Sequence, residues 1–178
     1  AALLARLAPG SRVVFHKDLY VDFRKLAEQV LPNWRIECAS VDLTDASARS
    51  AAFSKGVDLV WFETPSNPLI DVLDIETISR EAKASNAKVL VDGTFATPVV
   101  QRPLALGADY VLHSLTKYMG GHSDLIAGAV AGPADLVEEI VVLLRSVQEA
   151  RQRVALDGIA TNLQRVIIAA EGDERVRI

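Results

Sequence analysis

The sequence predicts an α/β fold in which a mostly parallel sheet is flanked by helices. Short aliphatic and aromatic runs alternate with segments of helical periodicity along most of the chain, and such alternation is typical of βαβ units. The chain has 178 residues, of which 50% are hydrophobic. A chain of this size and composition can bury one substantial core, so one main domain is expected.

The predicted elements follow one another in a regular order. A first helix is predicted near residues 1–7, and the helix over residues 22–30 stops before Pro32, which fits poorly inside a helix. The segment Asp42–Asp45 offers an N-cap for a helix that ends at residue 53, and Asp74 opens one that ends at residue 84. Strands are predicted over residues 12–15, 35–38, 57–62, 87–91, 108–112 and 125–131, and further helices over residues 103–106 and 134–144.

Composition excludes several classes of function. A net charge of −4 without a basic stripe argues against a nucleic-acid or anionic membrane surface. The longest aliphatic runs are far shorter than the roughly 20 residues that a membrane span needs, and no secretory signal is visible. The single cysteine, Cys38, excludes an internal disulfide, so we expect a cytoplasmic protein in which Cys38 is a small buried apolar residue.

One lysine is predicted to lie just beyond a strand end. Lys117 follows the apolar run 108–112, between hydroxyl residues and the pair Gly120-Gly121. In open parallel sheets, ligands bind in the crevice outside the carboxyl ends of the strands. Its position therefore makes Lys117 a candidate for the functional site.

Two other predicted strands end in acidic residues, Glu63 and Asp92. A buried carboxylate needs a partner, because removing an ionised group from water costs several kcal/mol. Pyridoxal 5′-phosphate (PLP) has a pyridinium nitrogen that an Asp can hold and an aldehyde that a Lys can bind as a Schiff base. Asp92 and Lys117 are the natural pair for these roles, whereas Glu63 either binds a ligand or stabilises the loop that follows it.

Several segments together resemble the Cys/Met-metabolism PLP enzymes, a family that includes cystathionine synthases, cystathionine lyases and methionine gamma-lyase. The resemblance runs from about Pro9 to about Gly132. Its segments are Asp18–Tyr20, Glu63–Pro68, Val91–Pro98, Gln101–Asp109, His113–Tyr118 and Gly121–Asp124.

The resemblance implies a role for each matching residue. Lys117 would form the Schiff base and later move protons, while Asp92 would form a salt bridge with the pyridine nitrogen. Tyr20 would stack on the cofactor ring, as an aromatic face suits a flat heteroaromatic ring, and would help to activate the incoming amine. Asn67 would face the phenolic oxygen of the cofactor or the substrate carboxylate. The phosphate would be bound by the hydroxyl groups of Ser114 and Thr116.

Residues near the predicted substrate position depart from the family pattern. Asp22 stands among the usually small residues after the stacking tyrosine and would place negative charge near the substrate side chain. Gly93 replaces the Asn that usually follows the aspartate. The closing segment 171–178 resembles the one that carries the arginine for the substrate carboxylate, which would make Arg177 that residue. The alternative interpretation of this segment is a solvated charged tail.

The resemblance also implies the architecture. Residues 1–150 would form the PLP-binding large domain of aspartate-aminotransferase-like enzymes, the fold called type I, without the N-terminal arm of the family. Residues 151–178 would be a helical C-terminal remnant, with most of the substrate domain absent. No metal site is predicted, because His113 and His122 have no further His or Cys at ligand spacing.

The activity that the resemblance implies is a PLP-dependent carbon–sulfur lyase acting on a small sulfur-containing amino acid of the cysteine, cystathionine or methionine type. The same machinery can instead form a carbon–sulfur bond, as in a gamma-replacement synthase. A third hypothesis is a non-catalytic dimerisation domain, although retention of Lys117, Asp92 and Tyr20 favours an enzyme. Because family sites lie at a subunit interface, a homodimer or tetramer is expected, or a module of a larger multidomain protein.

Overall fold

The computed structural model describes Leu4, residues 7–134 and the backbone of residues 165–170. Within these residues the helices are α1 (Val21–Lys25), α2 (Ala46–Phe53), α3 (Ile75–Ala84) and the short α4 (Thr97–Val100). Shorter 3₁₀ and π-helical segments are Leu26–Val30, Leu31–Trp34, Pro103–Leu106 and Leu115–Met119. The strands are β1 (Arg12–His16), β2 (Glu37–Val41), β3 (Leu59–Glu63), β4 (Lys88–Asp92), β5 (Tyr110–Ser114), β6 (Ala127–Gly132) and β7 (Arg165–Ala170).

The described strands form one sheet in the order β2-β1-β3-β4-β5-β6-β7. Strands β1 to β5 are parallel to one another, and β6 runs antiparallel to β5. The mostly parallel sheet that the sequence predicts is therefore confirmed. Parallel neighbours need crossover connections, and the helices between these strands provide them.

Alternate residues of the central strands β1, β3 and β4 enter one of two cores. The first core, next to α2 and α3, contains Val14, Val60, Phe62 and Val91 among its buried residues. The second core, next to the segment from Leu19 to Leu31, contains Val13, Phe15, Trp61 and Leu90. Both faces of the sheet are covered, which explains why the central strands are almost wholly apolar.

Two predicted helix starts are confirmed by their caps. The Asp45 carboxylate accepts hydrogen bonds from the backbone N–H groups of Ser47, at 2.7 Å, and Ala48, at 3.2 Å. The Asp74 carboxylate accepts one from the N–H of Thr77 at 3.0 Å. These bonds satisfy N–H groups that have no partner inside the helix.

Three predictions fall wholly or mostly outside the described residues: the helix near residues 1–7, the helix over residues 134–144 and the site residue Arg177. Within the stretch predicted to be a helical remnant, residues 165–170 form strand β7, which pairs in parallel with β6. A strand therefore replaces helix at these six residues, and the division into two domains stays a prediction. Among the residues described, no helix has the length and apolar character that a membrane crossing requires.

Candidate active site

The carboxyl ends of four neighbouring strands bring the predicted site residues to one edge of the sheet. Tyr20 lies in the connection after β1, Glu63 ends β3, Asp92 ends β4 and Ser114 ends β5. These strands are adjacent in the order β1-β3-β4-β5. Lys117 follows β5 by three residues, so the lysine segment leaves the sheet at the same edge.

The last side chains of these strands also share one face. Glu63 is in register with Asp92, and Asp92 is in register with Leu112. Side chains in register on parallel strands point to the same side, and residues two apart on one strand do so as well. Glu63, Asp92 and Ser114 therefore project toward the side of the sheet that carries Trp61.

Asp92 is buried, with 4% of its surface exposed. One carboxylate oxygen accepts a hydrogen bond from the Thr94 N–H at 2.9 Å. Burial raises the pKa of Asp92, although the Thr94 hydroxyl and N–H act in the opposite direction. Within the described part of the chain Asp92 forms no ion pair, so a cationic ligand would supply the partner that its ionised form needs.

Glu63 is as buried as Asp92 and joins two loops. Its carboxylate accepts a hydrogen bond from the backbone N–H of Asn67 at 3.3 Å, and the backbone N–H of Tyr20 also favours its ionised form. Burial, and then the charge of Asp92, raise the pKa of Glu63 to about 7. Of the two roles left open by the sequence, these contacts support that of stabilising loops.

Aromatic contacts link the ring of Tyr20 to strand β3 through Phe23. Tyr20 is half-buried and meets Phe23 edge-on, with ring centroids 5.8 Å apart. Phe23 in turn packs on Trp61 of β3 at 5.0 Å. Asp22 points to solvent and pairs with Lys25 at 3.4 Å. Stacking of Tyr20 on a cofactor and contact of Asp22 with a substrate remain predictions.

Lys117 lies in an irregular turn. Its φ and ψ of −96° and −130° interrupt the π-helical segment Leu115–Met119, and its side chain is exposed. The N–H groups of Gly120 and Gly121 donate to the carbonyl oxygens of Leu115 and Lys117, both at 2.9 Å. A Cβ at Gly120 would overlap the Leu115 carbonyl oxygen, so the turn itself requires glycine there.

Two contacts join the lysine turn to the neighbouring elements. The ring of Tyr118 meets that of Phe95, from the loop after Asp92, at 5.8 Å. The Thr116 hydroxyl accepts a hydrogen bond from the Ala127 N–H at 3.1 Å and lies 3.3 Å from the Ala127 carbonyl oxygen. A phosphate contact of Thr116 would therefore share a hydroxyl that already anchors the turn to β6, and it remains a prediction.

Thr94, for which the sequence indicates no role, connects two predicted site residues. Its hydroxyl oxygen accepts a hydrogen bond from the Ser114 N–H at 2.8 Å, while its own N–H donates to Asp92. The available signal was its position two residues after Asp92, where a hydroxyl residue can bond back to the chain. Binding of phosphate by the Ser114 hydroxyl remains a prediction.

Gly93 and His113 pack against each other on the opposite face of the sheet. His113 is buried, and burial lowers its pKa. A Cβ at Gly93 would lie 2.8 Å from His113 Cε1 and 3.2 Å from Val111 Cγ2. Glycine therefore suits position 93, where His113 and Val111 leave no room for a side chain.

One group of potential metal ligands occurs among the described residues: His16, Asp18 and Asp71. The Leu43 N–H donates to His16 Nδ1 at 3.1 Å, which leaves the hydrogen of the neutral ring on Nε2. Burial lowers the pKa of His16, and Nε2 lies 3.5 Å from a carboxylate oxygen of Asp18. A metal would need a free electron pair at Nε2, so this arrangement favours a His–carboxylate contact.

Comparison with known proteins shows which family this chain belongs to. The sequence model for Cys/Met metabolism PLP-dependent enzymes matches residues 1–152. The chain belongs to this family. The resemblance stated from the motifs is thereby confirmed, and so is the type I fold.

Cystathionine lyases and synthases of this family are similar to most of this chain. Cystathionine beta-lyase from Lactococcus lactis subsp. cremoris is 48% identical over 147 residues, which are 82% of this chain and 39% of that protein. Cystathionine gamma-synthase from Mycobacterium bovis is 46% identical over 143 residues, or 80% and 37% of the two chains. Cystathionine gamma synthase from Xanthomonas oryzae pv. oryzae, solved with aminoacrylate and cysteine, superposes with a TM-score of 0.77 at 36% identity.

The chain is short relative to these family members. The Xanthomonas match covers 82% of this chain and 38% of the solved one. The chain thus spans about two fifths of the length of the curated relatives that it matches.

Proposed function

We propose that this chain carries the PLP site of a carbon–sulfur lyase that acts on a sulfur-containing amino acid. The observation that carries the proposal is the buried Asp92, without a cationic partner among the described residues, at the sheet edge where Lys117 emerges. The pyridinium nitrogen of the family's cofactor is a cation of the required kind.

The residues present fit the cofactor. Asp92 would hold the protonated ring nitrogen, Lys117 would attach the cofactor through Nζ, and Tyr20 would cover the ring. Asn67 would contact the phenolic oxygen or the substrate carboxylate. The phosphate would be bound by Ser114 and Thr116.

The reaction divides between the cofactor and the side chains. When bound, PLP supplies an electron sink for the negative charge that develops at the α carbon of the substrate. Lys117 Nζ is the base that would take the α proton and later return it, because an amine so placed can act in both directions. Asp92 would keep the ring nitrogen protonated throughout. Elimination at the β or γ carbon would then break the carbon–sulfur bond, and the sulfur would leave with the bonding electron pair and take up a proton as a thiol.

A gamma-replacement synthase is the second candidate, because cystathionine gamma-synthases and a cystathionine beta-lyase are almost equally similar to this chain. The residues in the described site are those that both reactions share. Substrate choice would be influenced by Asp22, whose exposed carboxylate follows the Tyr20 loop, and by Arg177.

A homodimer or tetramer, or a place in a larger multidomain protein, is also proposed. Large apolar side chains are strongly exposed near the site edge, and exposed apolar patches often mark surfaces that are covered in an assembly. They include Leu69, Val72, Val99, Val100 and Ile126. Sedimentation that showed only monomer would contradict self-association. A cytoplasmic setting is supported by the unpaired Cys38, whose pKa burial raises to about 11.

The deciding experiment is cofactor attachment. The purified chain is mixed with PLP, its absorption spectrum is recorded, and borohydride reduction is followed by peptide mass mapping. We expect a visible band and a reduced adduct on Lys117, and neither in Lys117→Ala. A positive result is followed by assays for ketoacid release from cysteine, cystathionine and methionine. Absence of the band, or a band unchanged in the variant, would favour the non-catalytic dimerisation domain.

A further inference from the structure

We propose that Glu63 is a positioning residue of this site, whose carboxyl group fixes the loops of Tyr20 and Asn67 and tightens them when a cation binds at Asp92. The inference rests on the proposed function for the identity of that cation. The role of Glu63 in the free chain does not depend on it.

The first step of the argument is the pattern of contacts. The Tyr20 loop follows β1 and the Asn67 loop follows β3, so the two loops are far apart in sequence. The Asn67 N–H donates to the Glu63 carboxylate at 3.3 Å, and the backbone N–H of Tyr20 is near enough to the same carboxylate to lower its pKa. One buried side chain thus sets the position of two residues that are predicted to face the cofactor.

The second step concerns the strand next to β3. Glu63 and Asp92 are in register on adjacent strands, which lie about 4.8 Å apart. Their side chains share a face, so each carboxyl group acts electrostatically on the other. The negative charge of Asp92 opposes ionisation of Glu63 and raises its pKa. The adjoining loop also carries the ionisable side chains of Asp18, Tyr20 and Asp22.

The third step is the response to a cation. A pyridinium held by Asp92 would offset the negative charge of Asp92 and favour the ionised form of Glu63. Hydrogen bonds to a carboxylate are stronger than those to a neutral carboxyl group. Cofactor binding would therefore strengthen the hold of Glu63 on both loops, which draws Tyr20 and Asn67 into fixed positions as the site is filled.

The test follows the backbone amides of Tyr20 and Asn67 by NMR in the ¹⁵N-labelled full chain during a pH titration. We expect both amides to shift with one shared midpoint, and PLP to move that midpoint to lower pH. In Glu63→Gln the shared transition should vanish from both amides, whereas Glu76→Gln, an exposed position on α3, should retain it. We also expect Glu63→Gln to bind PLP about tenfold more weakly, as for loss of a hydrogen bond to a charged group.

Two results would overturn the proposal: different midpoints at Tyr20 and Asn67, or a shared transition that persists in Glu63→Gln. If that variant does not fold, the wild-type titration alone decides, because a single carboxyl group must give both amides the same midpoint. A midpoint that PLP leaves unchanged while reduction still labels Lys117 would overturn the tightening step. A shared transition without any labelling of Lys117 would contradict the proposed function instead and leave the positioning role in the free chain supported.

Discussion

The direction of each side chain at a strand end determines which residues can meet in the site. Asp92 points to the face that carries Trp61, and the next residue, Gly93, meets His113 on the other face. The two consecutive residues therefore face opposite sides of the sheet and have different neighbours. Asp92 awaits a charged partner, whereas Gly93 leaves room for a buried imidazole ring.

The contact between Gly93 and His113 can be tested by a double-mutant cycle. We expect Gly93→Ala to lower the free energy of unfolding by about 1–3 kcal/mol, because the new methyl group overpacks the space beside His113 Cε1. In a His113→Ala background the cost should be smaller, since the nearest atom is gone. Urea denaturation of the four proteins measures both costs. Equal costs in the two backgrounds would show that the ring does not limit this position.

At the scale of elements, α3 is held at its start by one side chain. The Asp74 carboxylate bonds to the Thr77 N–H at 3.0 Å, and Ile75, Ile78 and Ala82 are buried against the sheet. We expect Asp74→Ala to destabilise the protein by about 1 kcal/mol in urea denaturation, while Asp74→Asn retains most of the stability, because Asn also caps helices well. Equal losses in the two variants would indicate that the charge of Asp74, rather than the cap, is what matters.

The same caps show which elements the sequence could predict. Asp45 and Asp74 act on N–H groups two or three residues away, so their helices start where local signals place them. Strand ends depend on the neighbouring strand instead. The sequence predicts strand starts at residues 57 and 87, whereas pairing between β3 and β4 begins at Leu59 and Lys88.

The positions of the candidate site residues could also be predicted where they follow from local sequence signals. Tyr20, Asp92 and Lys117 lie at one sheet edge, as the βα alternation and the family motifs suggested. The bond of Glu63 to Asn67 spans only four residues and agrees with the loop-stabilising role that the sequence left open. The contacts of Glu63 with Tyr20 and of Thr94 with Ser114 could not be predicted, because each joins segments that are distant in sequence and close only after folding.

At the scale of the whole molecule, the buried ionisable groups make the free energy of unfolding respond to pH in opposite directions. Burial lowers the pKa of His16 and of His113 below the ordinary value of 6.5. The free energy of unfolding therefore falls as pH drops from 6.5 toward the lowered pKa of each ring, because only the unfolded chain binds the proton there. Glu63 behaves in the reverse sense. Its pKa is raised from an ordinary 4.5 to about 7, so the folded protein keeps a proton that the unfolded chain has released.

A comparison of the wild type with Glu63→Gln isolates this carboxyl group, because the histidines titrate in both proteins and cancel in the difference. The unfolding free energy of the wild type should fall relative to that of the variant as pH rises from about 4.5 to about 7. The expected slope is about 1.4 kcal/mol per pH unit, with little change on either side of the window. Urea denaturation of both proteins over a pH series gives this difference directly. A difference that stays constant would mean that Glu63 ionises in the folded chain as it does in the unfolded one, and that the field of Asp92 and burial do not act on it.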